Sequence, residues 1–99
     1  MPAYVIAFVE IHDRTRFAQE YLPGVGATFE PYGGRLLAAS DDAETLEGVV
    51  PRGRAVVVEF PDLDSARKWY ASDAYAPLLA LREGIATTSL VVLQGSSSP

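Results

Sequence analysis

The spacing of apolar positions changes several times along the chain, and each change predicts an element. Residues 3–11, AYVIAFVEI, are rich in β-branched and aromatic side chains and too short for most helices, which predicts a strand. Tyr4, Ile6 and Phe8 fall on one face, and Val5, Ala7, Val9 and Ile11 on the other. A strand apolar on both faces is central in its sheet or covered twice. From Asp13, placed to cap the following amides, Phe17, Tyr21, Val25 and Phe29 recur at helical spacing as one apolar stripe. Pro23-Gly24 interrupts that stripe and predicts two helical pieces, about 14–22 and 24–31, joined by a kink.

Gly33-Gly34 ends the helix and permits the positive φ of a sharp return. A shorter strand is expected over residues 35–39, a loop at Ser40-Asp41-Asp42, and a brief sheet extension at Thr45-Leu46-Glu47-Gly48. Pro51-Arg52-Gly53 turns the chain into AVVVEF, residues 55–60, its most strongly β segment. Asp62 caps a second helix with Leu63, Ala66, Trp69 and Tyr70 as its buried stripe. After a turn at Ser72-Asp73, Pro77 predicts a further helix from Ala76 to Arg82 or Glu83, stopped by Gly84. SLVVLQ, residues 89–94, is the last strand.

The order β-α-β-β-α-β predicts an α+β, ferredoxin-like fold: a four-stranded antiparallel sheet, order 4-1-3-2, with helices on one face. The other face would then expose alternate residues of apolar strands, a larger patch than a soluble monomer usually shows. A second copy stacked sheet to sheet would cover it, so a homodimer through the sheet faces is expected.

Composition narrows the picture. The 99 residues read as one domain, 1–95, with a polar tail at 96–99. Hydrophobic residues at 48% and charged ones at 21% are globular proportions, not those of a disordered chain. A net charge of −5 without a basic cluster argues against nucleic acid, and more weakly against an anionic membrane. No cysteine is present, which removes disulfides, thiolate nucleophiles and zinc–thiolate sites. Neither a signal peptide nor a membrane span fits the opening residues, and the chain reads as cytoplasmic.

The opening AYVIAFVEI, Tyr32-Gly33-Gly34-Arg35, Leu46-Glu47-Gly48, Glu59-Phe60-Pro61, Trp69-Tyr70-x-Ser72-x-x-Tyr75 and Leu81-Arg82 together resemble the DUF1330 family over about residues 2–95. That family belongs to the dimeric α/β-barrel superfamily. The resemblance implies a sheet-to-sheet homodimer and says little of chemistry. The wider superfamily implies a small aromatic or apolar molecule between sheet and helices; it includes monooxygenases without metal or flavin, and muconolactone-isomerase-like enzymes. The chain departs from the pattern at Asp73-Ala74, where Pro-Glu is frequent, and at His12, where histidine is not usual.

Among candidate chemical groups, His12 is the only histidine; it reads as a general base or ligand contact, or else as an exposed loop residue. Arg35 and Arg82 belong to the family pattern and can orient a carboxylate or enolate oxygen; ion pairing, for instance with Glu47 or Glu59, is the structural reading. Glu59 lies in an apolar strand, either paired with an arginine or poised for proton transfer. Phe17, Tyr21, Phe29, Trp69, Tyr70 and Tyr75 are core by default, but can line a cavity for a flat ligand. Gly33-Gly34 lacks the context of a phosphate loop.

The expected site is therefore His12, Glu59 and Arg82 as catalytic groups, with Tyr21, Arg35, Trp69 and Tyr75 around the ligand. No metal or cofactor is expected. The activity expected is cofactor-independent proton transfer or oxygenation on a small aromatic or carbonyl compound. The alternative is a non-catalytic binding or stress-response homodimer.

Overall fold

The computed structural model describes residues 1–96. In chain order its regular elements are β1 Ala3–Ile11, α1 Arg14–Arg16, α2 Leu22–Phe29, β2 Arg35–Ser40, β3 Arg54–Phe60, α3 Leu63–Tyr70, α4 Ala76–Ile85 and β4 Ala86–Gln94. The strands form one four-stranded antiparallel sheet, order β2-β3-β1-β4. This is the ferredoxin-like α+β arrangement the element order predicts. The expected tail at 96–99 lies, from residue 97 on, outside the described residues.

Both expected caps form. The carboxylate of Asp13 accepts from the Arg16 amide at 3.0 Å, and that of Asp62 from the Ser65 amide at 2.7 Å. The kink expected at Pro23 takes another form. Phe17–Tyr21 make a π turn between α1 and α2, in which the Leu22 amide donates to the Phe17 carbonyl. Proline has no N–H for the carbonyl four residues back, and the helix widens just ahead of it instead of breaking. The helical run then continues into a 3-10 turn at Glu30–Tyr32 and ends at Gly33, whose φ of 78° suits glycine.

Other expectations need correction. Thr45-Leu46-Glu47-Gly48 is not part of the sheet. Residues 41–53 form an exposed loop whose ends are tied by the Arg54–Asp41 ion pair at 3.0 Å. Gly84 does not stop α4, which runs to Ile85 because the buried Ile85 anchors its last turn and accepts through its carbonyl from the His12 amide at 2.8 Å. β4 begins at Ala86, not Ser89, since pairing with β1 (Ile11↔Ala86, Glu10↔Thr87, Val9↔Thr88) carries its polar start into the sheet. Tyr70, expected in the buried stripe of α3, is 43% exposed, while Ala66 and Trp69 are buried.

The register sorts the sheet into two faces. Ala3, Val5, Ala7 and Val9 are buried under the helices, beside Phe60, Val58, Val56 and Arg54 of β3. Tyr4, Ile6 and Phe8 point the other way, with Val57, Val91 and Leu93 beside them. None of the described residues covers that second face, and the Cα slab measures 40 × 37 × 16 Å. Val91 is 58% exposed and Leu93 44%.

Candidate functional site

Between the helices and the sheet lies a cavity of about 250 Å³. Its floor is the covered face of the sheet, including Val5, Ala7 and Val58, and its roof is the stripe Phe17, Tyr21, Val25 and Phe29. Trp69, Tyr75 and Arg82 close one side. Leu22 and Leu36 line it too and are 42% and 53% exposed, which marks where the cavity meets solvent.

Three polar features stand out in this apolar space. First, the hydroxyls of Tyr21 and Tyr75 meet at 2.7 Å, from residues 54 positions apart. Either oxygen can donate, and the acceptor of that bond keeps its own hydrogen for a third group. Burial pushes both phenols above their ordinary ionisation range; the charge of Arg82 acts the other way on both and is the smaller influence. Both are therefore neutral donors at physiological pH. Second, Arg82 is only 5% exposed, and its Nε is sealed from solvent without a hydrogen-bond partner. No ion pair among the described residues includes it. Third, the indole N–H of Trp69 donates to Thr28 Oγ1 at 3.0 Å, which fixes the ring at the cavity wall.

The structure brings Tyr21, Trp69, Tyr75 and Arg82 to one cavity. It does not bring His12, Glu59 or Arg35 there. The exposed ring of His12 bonds Thr87 Oγ1 through Nε2 at 2.7 Å, joining the end of β1 to the start of β4. Arg35 and Glu59, cross-strand neighbours, pair at 2.8 Å on the open face of the sheet. Arg54 was not among the expected site residues, yet lines the cavity. Its alternation with Val56 and Val58 carries the signal that would have found it. Thr28 had no such signal, because its partner lies 41 residues away. Among the described residues, no group of three or more His, Asp or Glu side chains converges on a possible metal position. No helix among them is long and apolar enough to cross a membrane.

Compared with known proteins, the chain matches the family model for a domain of unknown function, DUF1330, over residues 2–96. The chain belongs to the DUF1330 family. No curated protein sequence matches it. Solved structures that share the DUF1330 protein's fold include the RPA0582 protein of unknown function from Rhodopseudomonas palustris, with a TM-score of 0.76 at 16% identity, covering 97% of this chain and 83% of that one. SnoaB, a cofactor-independent oxygenase from Streptomyces nogalater, superposes with a TM-score of 0.68 at 13% identity, covering 98% and 95%. An ethyl tert-butyl ether d (ethd) family protein from Bacillus halodurans does so at 0.61 and 14%, covering 97% and 100%. At these identities the likeness establishes the fold alone.

Proposed function

We propose that this DUF1330 protein is a homodimeric enzyme that acts without a cofactor on a small, largely apolar or aromatic carbonyl compound held in the cavity beneath its helices. The observation that carries this reading is the convergence of Arg82 with the Tyr21–Tyr75 hydroxyl pair inside an enclosure that is apolar apart from Arg54, which Asp41 pairs. A few convergent donors in an apolar pocket are what a small-molecule site needs. Donors aimed at a carbonyl oxygen stabilise the charge that develops there during enolisation. Oxygenation can follow without a cofactor when the enolate itself is the reductant: a methylene carbon and dioxygen become a carbonyl and water, and the substrate supplies the electrons. The fold likeness to SnoaB supports that chemistry by analogy.

The homodimer rests on the open face. Ile6, Phe8, Val57, Val91 and Leu93 form a contiguous apolar patch that no described residue covers, of the kind a second copy stacked sheet to sheet would bury.

A second reading, a binding protein without turnover, is favoured by one observation: among the described residues, no carboxylate or imidazole lines the cavity to act as a base. Incubation with a panel of hydroxylated aryl ketones, followed by oxygen uptake and mass spectrometry, separates the two. Gly26→Leu serves as the blocked control. Gly26 lines the cavity, and a Cβ there meets only Phe29 Cζ at 4.0 Å, so a larger side chain enters the cavity without disturbing the backbone. Turnover lost in the Gly26→Leu variant supports the enzyme. Trp69 fluorescence changes without product support the binder. The absence of both removes the cavity from consideration.

A further inference from the structure

We infer that the cavity selects the ionised form of its ligand: a small enol or phenol is held as its oxyanion against Arg82, its proton going to solvent and not to a protein base. This deepens the reading of the cavity as a ligand site and rests on it.

The argument begins with uncompensated charge. Removing an ion from water without a partner costs on the order of several kcal/mol even after relaxation. Arg82 lies in the last turn of α4, where the helix dipole favours a cation. That attraction reaches at most about 2 kcal/mol in partly buried geometries, too little to offset the burial. The titratable groups on the cavity wall are Tyr21, Arg54, Tyr75 and Arg82. Arg54 is neutralised by Asp41 at 3.0 Å, and both phenols are held neutral by burial. One positive charge therefore stays unanswered in an apolar space.

A monoanion answers it. The planar guanidinium brings its charge to the cavity wall, and the tyrosine pair offers the one phenolic hydrogen that their mutual bond leaves unused. A neutral ligand would leave the guanidinium uncompensated, and a dianion would bring a second charge with no cation to meet it. Size adds a bound. An engineered apolar cavity of about 150 Å³ takes up benzene, and drug-sized pockets begin near about 300 Å³, so a ligand of one or two rings fits here. Since no wall residue accepts a proton at neutral pH, the acidic hydrogen departs to water at the opening beside Leu22 and Leu36.

The test is a spectrophotometric titration of 4-nitrophenol, whose phenolate absorbs in the visible, with and without saturating protein. Binding is monitored through the chain's single tryptophan, Trp69, on the cavity wall. The expected result is an apparent pKa for bound probe lower by at least about one unit, equivalent to a tenfold tighter hold on the phenolate. The neutral analogue 4-nitroanisole should bind correspondingly more weakly. Arg82→Met should abolish the shift and Arg82→Lys keep part of it. If Trp69 reports binding while the probe's ionisation is unchanged or raised, selection of the anion is overturned and the ligand site stands. If the shift survives in a folded Arg82→Met variant, Arg82 is not its cause and the inference fails. If neither nitrophenol nor nitroanisole perturbs Trp69 at millimolar concentration, the ligand site falls and the inference with it.

Discussion

Thr28 holds Trp69 in place: its hydroxyl accepts the indole N–H at 3.0 Å while donating to the Val25 carbonyl at 2.6 Å. The residues sit on different helices, α2 and α3, so one side chain ties the roof of the cavity to its wall. Thr28→Val keeps the shape and removes the acceptor, leaving a buried N–H unpaired. A loss of about 1–3 kcal/mol is expected, read as a lower urea midpoint with an unchanged slope and a shifted Trp69 emission. Wild-type stability in this variant would show that the bond carries nothing.

Arg82→Met is expected to keep or raise stability while weakening the binding of anions. Replacing buried ionic groups with apolar ones of similar volume is often neutral, or stabilising by about 1–4 kcal/mol. Thermal denaturation of the two proteins side by side checks this. A Met variant that unfolds at markedly lower temperature would mean that the guanidinium has a structural partner.

Alkaline pH should destabilise the fold through the tyrosine pair. Burial raises the pKa of Tyr21 and Tyr75 in the folded state, so at high pH the native protein binds more protons than the unfolded chain. The stability this contributes is intact below the unfolded tyrosine value of about 10 and is lost as pH climbs past it. Urea midpoints measured from about pH 8 to about pH 11 should fall less steeply for Tyr21→Phe than for wild type. Parallel profiles would discount the pair.

Val91→Lys tests the open face. Val91 is 58% exposed in the protomer, so its replacement should change protomer stability by no more than about 0.5 kcal/mol. In a sheet-to-sheet pair the new charge would be buried without a partner. Sedimentation of the variant as a single copy, with a melting temperature that no longer depends on dilution, is the expected result. If wild type already behaves that way, the pairing is wrong.

The strands were legible because period-two alternation and β-branched runs mark β1 and β3 directly, and the order of elements then dictated the topology. Local signals misled where tertiary contacts overrode them. Gly84 looked like a helix stop, but burial of Ile85 and the His12 amide hold the turn beyond it. The π turn at Phe17–Tyr21 had no pattern of its own, since the same four-residue stripe serves a regular helix. At the candidate site, Tyr21, Trp69 and Tyr75 were nameable as aromatic rings able to line a cavity, and Arg82 from the family pattern. The positions of His12 and Glu59 were not, because strand ends and sheet faces resolve only once register is known: His12 meets Thr87 across β4, and Glu59 meets Arg35 across β2.

One feature of β1 links the two halves of the molecule. Val5 and Ala7 form the cavity floor, while Ile6, between them, faces outward. Successive side chains of a strand face opposite ways, so one stretch of backbone serves both surfaces. In an assembled pair, that strand would be the shared wall between the seam and the chamber beneath the helices.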